Sequence, residues 1–192
     1  MTEPSRSRKP AAVRRAEIME AADAEFAQKG LSGAGIEAIA ARVGISHPRI
    51  VQMFGSKREL FLQVVHAAYD RIEAVFEGAE PTLGALGDAY RRLLESRPTV
   101  GLALLQAYAA SGDAVVQESV RRRQLDLQQA ITRVTGADPM QVRSFFATGL
   151  ILTVSTVLDL PGRRADMEWC AWIIGRGDDA SHRQPPSVKD AP

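Results

Sequence analysis

Polar side chains able to form hydrogen bonds are concentrated on one face of a short segment, residues 46–53. Arg49 offers a fork of N–H donors that suits guanine, and Gln52 carries an amide that suits adenine. His47 lies on the same face, while Ile50 and Phe54 are spaced by four residues and point to the opposite side of a helix. Because an α-helix fits the major groove of DNA, this pattern predicts base contacts.

Two short helices joined by a glycine-containing turn must position this segment. Residues 36–43 place apolar side chains at the i, i+3, i+4 and i+7 spacing of an amphipathic helix. Gly44 ends that helix, and Ser46 is predicted to be the N-cap of the next one, which ends at Gly55. Two such helices buried against a preceding helix form a helix-turn-helix.

Helical periodicity extends along most of the chain. No stretch alternates with period two for long enough to predict a strand, so the fold class is all-α. Gly30 is predicted to end the first helix, and Ser56 with Glu59 forms a capping box at the start of the fourth. The predicted helices are 12–29, 36–43, 46–54, 57–77, 82–96, 98–110, 113–134, 139–159 and 165–175.

Composition restricts the class of protein. The 192 residues include one Cys, so no intramolecular disulfide can form, and the N-terminus lacks the apolar run of a signal peptide. We therefore expect a cytoplasmic protein. The longest apolar-rich stretch, residues 145–158, is about four to six residues short of a membrane span, which predicts that no membrane is involved.

The charge distribution is uneven. Residues 1–60 carry ten basic and seven acidic side chains, and all of the excess lies in the first fifteen residues. There Glu3 faces five cations, Arg6, Arg8, Lys9, Arg14 and Arg15. This pattern suits a basic arm for a polyanion, and a disordered, solvated tail is the alternative.

Residues 30–61 (GLSGAGIEAIAARVGISHPRIVQMFGSKRELF) resemble the DNA-binding signature of the TetR family of bacterial transcriptional regulators. The matching elements are Gly30, Ile39-Ala40, Gly44-Ile45-Ser46, Phe54, Ser56-Lys57 and Leu60. The resemblance implies a homodimer with an N-terminal three-helix DNA-binding domain and a C-terminal helical domain for ligand binding and dimerisation. The expected division is a disordered basic arm (1–10), a helix-turn-helix domain (11–56), an effector-binding and dimerisation domain (57–175) and a disordered tail (176–192).

The chain departs from the family pattern at positions that usually contact the DNA backbone. Ala34 and Gly35 stand where the family has Thr or Ser, and Val51 stands where it has Tyr. Lys57 begins a helix, where a cation opposes the helix dipole, so a nearby phosphate would explain its placement. Pro48 is tolerated because it falls in the first helical turn. The predicted DNA-binding residues are Gly35, Ser46, His47, Pro48, Arg49, Gln52 and Lys57, with Arg6, Arg8 and Lys9 of the arm.

The C-terminal region predicts a pocket and an interface. Bulky or hydrogen-bonding side chains on predicted inner faces suit a mostly apolar pocket, although core packing is the alternative for each of them. They are Tyr69, Phe76, Tyr90, Leu94, Leu105, Gln106, Tyr108, Phe145, Phe146 and Leu150. Helices 139–159 and 165–175 have apolar residues on more of their surface than the core of one protomer can cover, which predicts a dimer interface. Its predicted residues are Val154, Leu158, Trp169, Trp172 and Ile173.

The sequence offers little support for catalysis. His47, His66 and His182 are far apart in the chain, and Cys170 has no neighbouring His. No metal-ligand spacing, phosphate loop or nucleophile motif is present, so we expect no enzyme, cofactor or metal.

The predicted function is a ligand-responsive, TetR-like repressor. It would bind a palindromic double-stranded DNA operator as a homodimer and be released by a small, largely apolar effector. The competing class is a helical interaction module that binds no DNA. A salt-sensitive mobility shift on operator-like DNA separates the two.

Overall fold

The computed structural model describes residues 10–160, and within that range it contains helices and no strand. The predicted all-α class is confirmed. The helices are α1 (Ala11–Gly33), α2 (Ile36–Val43), α3 (His47–Phe54), α4 (Lys57–Glu77), α5 (Leu83–Ser96), α6 (Pro98–Ala109), α7 (Ala114–Thr135) and α8 (Pro139–Val157). The predicted helix 165–175, the tail 176–192 and the arm up to residue 9 lie outside the described residues.

The predicted helix starts are largely confirmed by their hydrogen bonds. At the start of α4, the Glu59 N–H donates to Ser56 Oγ at 3.2 Å and the Ser56 N–H donates to the Glu59 carboxylate at 2.5 Å. Thr82 accepts from the Ala85 N–H at the start of α5. Asp138 forms a further capping box with Gln141 at the start of α8. Local sequence therefore fixes these boundaries.

The end of α1 differs from the prediction. The helix does not stop at Lys29 but continues to Gly33 across a break at Gly30, where φ is 65° and ψ is −176°. Glycine adopts this conformation without the steric cost that a Cβ would bring. One further turn comes after the break, in which the Ala34 N–H donates to the Gly30 carbonyl at 3.2 Å. Gly30 therefore marks a kink in the helix.

The chain divides into two compact units. Among the described residues, the first unit holds the chain up to Asp70 together with Leu102–Arg123. Its core contains Phe26 and Phe61, whose rings meet edge to face at 5.1 Å, and the fully buried Ile18, Ile39 and Ile50. Apolar faces of α1, α2, α3 and α4 thus converge on one core, which holds the helix-turn-helix.

The second unit holds Arg71–Gly101 and the described residues from Gln124 onward. Here α5 lies against α8, and the Tyr90 and Thr153 hydroxyls form a buried hydrogen bond of 2.7 Å. Phe76 contacts the rings of both Tyr90 and Phe145 edge to face. Phe145 also contacts Phe146 in the same manner. These side chains build an aromatic cluster in this unit.

Helix α8 has one covered side and one open side. Val142, Leu152, Thr153 and Ser155 are buried, whereas Leu150 is 50% exposed. By length and composition α8 would suffice to cross a membrane, with a mean hydropathy of 1.2 over an 18-residue window that is 22% buried. Helix α8 is thus longer than the apolar stretch identified in the sequence, so its length does not exclude that it crosses a membrane. A single such helix is weak evidence for a membrane-spanning segment, and the absence of a membrane stays a prediction.

Candidate nucleic-acid interface

Two arginines of α1 form hydrogen bonds with carbonyls at the C-terminal ends of α2 and α3. Arg14 donates to the carbonyl of Val43, the last residue of α2, at 3.1 Å. The Arg15 guanidinium lies 4.4 Å from the centre of the Phe54 ring and donates to the Met53 carbonyl at the end of α3. Cations are favourable at these carbonyl-rich helix ends. The sequence interpretation that counted Arg14 and Arg15 in a basic arm is therefore wrong.

The turn between α2 and α3 has the expected geometry. Gly44 adopts the left-handed conformation at φ 67°, and the next N–H, that of Ile45, returns to the Ala40 carbonyl at 3.0 Å. Ser46 is the N-cap residue of α3, as predicted, but its hydroxyl makes no capping hydrogen bond. Pro48 lies in the first turn, as predicted, where no helical hydrogen bond is lost.

The structure brings the predicted base-contacting side chains together on the exposed side of α3. His47, Arg49 and Gln52 are all exposed, whereas Ile50 and Phe54 are buried. Arg49 Nη1 donates to Gln52 Oε1 at 2.6 Å. This face therefore carries an organised set of hydrogen-bonding groups.

His47 has a partner on the preceding helix. Its Nδ1 lies 2.9 Å from Oε1 of Glu37, a residue in the first turn of α2. The contact turns Nδ1 toward this carboxylate and leaves Nε2 directed elsewhere. Glu37 thus orients the imidazole at the start of α3.

Gly35 is the N-cap of α2, as the sequence predicts, but its N–H already forms a hydrogen bond within the protein. It donates to Glu25 Oε1 at 3.4 Å, and the same oxygen accepts from Lys29 Nζ at 2.8 Å. The Lys29 hydrogen bond holds the pKa of Glu25 below its ordinary value, against the opposing effect of burial. The sequence interpretation missed Glu25, although its spacing from Ile18 and Ala22 puts it on the apolar side of α1.

Lys57 is placed by contacts within the protein. Its Nζ donates to the carbonyl of Ser32, in the last turn of α1, at 3.2 Å and to that of Ala34, just beyond the helix, at 3.1 Å. These carbonyls stabilise the cation at the start of α4, so its placement does not require the nearby phosphate that the sequence suggests. A lysine ammonium has three N–H donors, so its contact with phosphate stays a prediction. Arg6, Arg8 and Lys9 lie outside the described residues.

The residues predicted to line a pocket are distributed between the two units. Tyr69, Leu105, Gln106 and Tyr108 belong to the first unit, and Phe76, Tyr90, Leu94, Phe145, Phe146 and Leu150 to the second. Tyr69 and Leu94 are core residues with 1% and 0% exposure. The inward orientation predicted for Leu150 is wrong, because it is 50% exposed. Tyr108 is 39% exposed, but its side chain forms a hydrogen bond with that of the buried Tyr69. Helical periodicity alone does not say which side another helix covers.

Gln106 has a specific structural partner. Its Nε2 donates to the Ala27 carbonyl of α1 at 3.3 Å, next to the kink at Gly30. Its Oε1 occupies the space that a Cβ on Gly30 would need. Gln106 therefore packs against α1 within the first unit.

Two surface grooves lie within the second unit. One has a volume of about 640 Å³, and its apolar lining includes Phe76, Leu127 and Ile131. The other, of about 630 Å³, runs between α5 and α8 and includes Tyr90 and Phe145. Both volumes fall in the range of small-molecule sites. Among residues 10–160, no group of three His, Cys, Asp or Glu side chains is placed to hold a metal ion.

The geometry of α2, α3 and the turn between them defines a helix-turn-helix protein. Residues 18–64 match the family model described as bacterial regulatory proteins, tetR family. The helix-turn-helix part of the chain is thus similar to that of the TetR family of bacterial regulatory proteins.

A curated relative and two solved structures are similar to the chain. The HTH-type transcriptional activator FasR of Mycolicibacterium smegmatis is 34% identical over 87 residues, which cover 45% of this chain and 38% of FasR. A TetR-family member from Streptomyces coelicolor A3 has a TM-score of 0.68 at 19% identity, covering 87% of this chain and 98% of that chain. A TetR-like regulator from Rhodococcus sp. RHA1 has a TM-score of 0.66 at 20% identity, covering 88% and 97%. The two structures establish the similarity of fold.

Proposed function

We propose that the protein is a ligand-responsive transcriptional repressor that binds a palindromic DNA operator as a homodimer. The observation that carries this proposal is the exposed polar side of α3, where Arg49 and Gln52 project from a helix that is buried through Ile50 and Phe54. A rigidly held helix with donors on its outer side is suited to the major groove. The protein would act in the cytoplasm and have no enzymatic role.

Phosphate contacts would position α3 on the duplex. Ser46 makes no capping bond with its hydroxyl, so this group at the start of α3 can donate to a phosphate. The third N–H of Lys57 is a second donor beside the turn. Arg6, Arg8 and Lys9 would add salt-dependent attraction to the DNA backbone. These groups contribute affinity without base preference.

Dimerisation would use the open side of α8. Leu150, Ile151, Val154 and Leu158 form a stripe at helical spacing, with exposures from 37% to 61%. A contiguous apolar stripe of this kind is typical of a protein interface. Trp169, Trp172 and Ile173, which we also propose for the interface, lie outside the described residues. Two protomers related by a twofold axis would read two half-sites of a palindrome.

The effector would be a small, largely apolar molecule bound in the second unit. The groove that contains Phe76 has an apolar lining, and Glu73, Glu77 and Asp126 outnumber Arg133 around it. This lining favours a ligand with an apolar body, and its acidic groups favour a positive charge on that body. Since α4 is continuous from Lys57 to Glu77, a tilt of this helix on ligand binding would reach its DNA-facing end.

Selection of bound fragments from the source genome tests DNA recognition. We expect wild type to enrich a palindrome whose half-sites are separated by about one helical turn or a multiple of it. Arg49→Ala should strongly reduce the enrichment, whereas Arg121→Ala, which removes an exposed arginine from α7, should retain it. Enrichment of no sequence by folded wild-type protein would contradict the proposal.

A second measurement tests release and the direction of regulation. Ligands found by thermal shift should lower DNA affinity, and DNA should weaken ligand binding by the same factor. Since FasR is described as an activator, a promoter–reporter assay with and without the protein decides the direction. Higher transcription in the presence of the protein would contradict repression and leave DNA binding intact.

A further inference from the structure

Arg49 and Gln52 are joined to each other on the exposed side of α3. Arg49 Nη1 donates to Gln52 Oε1 at 2.6 Å, and the residues are three positions apart, so they lie on one face of the helix. Arginine has no acceptor, so the amide atom that faces it must be the oxygen. A hydrogen bond from a charged donor is stronger than one between neutral groups. The two hydrogen-bonded side chains therefore face a binding partner as one connected group.

This pairing changes which DNA bases Gln52 can recognise. A free glutamine reads adenine by accepting from the N6 amino group with its oxygen while donating to N7. In the pair, that oxygen is directed at Arg49. The groups left to face a partner are the remaining N–H donors of the guanidinium, the two N–H donors of the amide and one lone pair of the amide oxygen, which lies beside the positively charged guanidinium. The pair consequently offers mainly donors.

We propose that Arg49 and Gln52 form a single donor-rich reading unit that selects adjacent acceptors in the major groove. The matching bases are guanine at the Arg49 position, through O6 and N7, and guanine or thymine at the Gln52 position. The amino groups of adenine and cytosine are disfavoured there, because they would have to donate to an oxygen that already accepts from the Arg49 guanidinium. This inference rests on the proposed function and identifies the class of half-site that the same surface takes.

Gln52 has a second role as a positioning residue for Arg49. The hydrogen bond restricts the rotamers of the long arginine side chain before DNA binds, so less conformational entropy is lost on binding. Removal of Gln52 should therefore weaken the guanine preference at the Arg49 position, which Gln52 itself does not contact. An independent base reader would not produce this effect.

A double-mutant cycle on the selected operator tests the proposal. Wild type, Arg49→Ala, Gln52→Ala and the double variant are titrated by fluorescence anisotropy at one salt concentration, with helicity checked by circular dichroism. Arg49→Ala should weaken binding on the order of tenfold to a hundredfold. The double variant should bind more tightly than the product of the two single losses implies, because both substitutions disable parts of the same unit. If the loss of affinity in the double variant equals the product of the losses in the two single variants, the proposal is overturned.

Base-substituted operators and Gln52→Glu provide a second readout. Glutamate keeps an acceptor for Arg49 but removes the amide donors. Gln52→Glu should therefore retain the guanine preference at the Arg49 position and shift the neighbouring position toward cytosine. Selection of adenine at the Gln52 position by wild type would overturn the proposal. Failure of wild type to select any sequence would overturn both the proposed function and this inference. Specific binding in which the losses of the two single variants multiply would overturn this inference alone.

Discussion

The kink of α1 gives a quantitative test of how α6 is joined to the helix-turn-helix unit. At Gly30, φ is 65° and ψ is −176°, a region that residues with a Cβ avoid at a cost of about 1–3 kcal/mol. In Gly30→Ala the new Cβ would lie 2.5 Å from Gln106 Oε1. Gln106 would have to move and give up its bond to the Ala27 carbonyl, which contributes about 0.5–1.5 kcal/mol.

The opposing effect is the smaller entropy of the unfolded chain, which favours alanine by about 0.4–1 kcal/mol. The net expectation is that Gly30→Ala lowers the free energy of unfolding by about 2 kcal/mol. In a Gln106→Ala background the clash is absent, and the same substitution should cost about 1 kcal/mol. Urea unfolding monitored by circular dichroism measures all four variants.

Gly33→Ala is the matched control on the same helix. Gly33 has no positive φ, and a Cβ there would lie 3.4 Å from Lys29 Cβ. We expect little change or a small gain in stability. Equal costs of Gly30→Ala in the two backgrounds would show that Gln106 does not pack against the kink, and a stable Gly30→Ala variant would refute the assigned backbone conformation.

Three further predictions concern pH, assembly and the α1–α2 junction. Burial, and to a smaller extent the charge of Arg123, lowers the pKa of His66, so stability should fall as the pH drops below about 6.5, where the unfolded chain takes up the proton more readily. Urea unfolding at pH 7.5 and 5.5 should show a smaller loss for His66→Gln than for wild type. Val154→Glu should yield monomers in light scattering where wild type is a dimer at micromolar concentration. Glu25→Gln should lower the free energy of unfolding by about 1 kcal/mol at pH 7, because a neutral amide oxygen accepts the hydrogen bond from Lys29 more weakly than a carboxylate does.

Each of these expectations has a contradicting result. An identical loss of stability on acidification in wild type and His66→Gln would show that this imidazole is not responsible. A monomeric wild type, or a dimeric Val154→Glu, would place the interface elsewhere or remove it. An unchanged free energy of unfolding in Glu25→Gln would show that Glu25 does not hold the junction.

The local features of the fold could be predicted from the sequence. Periodic apolar positions and the capping residues Ser56, Glu59 and Thr82 locate helices and their starts, because both depend on residues a few positions apart. The end of α1 is harder, since Gly30 is equally able to end a helix or to bend one. Gln106 of α6, which lies far away in sequence, packs at this kink, and local periodicity does not predict such a contact.

Side-chain partners that are distant in sequence account for the remaining differences. Nothing near Lys57 in the chain shows that its ammonium reaches the carbonyls of Ser32 and Ala34. Arg14 and Arg15 have a composition typical of a flexible basic arm, yet they contact the ends of α2 and α3. The side of α8 that is covered could not be predicted either, because its apolar residues surround the helix.

The central claim, sequence-specific DNA binding through α3, is tested most directly by competition between the selected operator and a shuffled duplex of equal length and composition. Wild-type protein should prefer the operator by at least about a thousandfold at physiological salt. Arg49→Ala should lose most of this preference and retain the salt-dependent attraction to both duplexes. Equal affinity of the wild-type protein for the two duplexes would contradict the account.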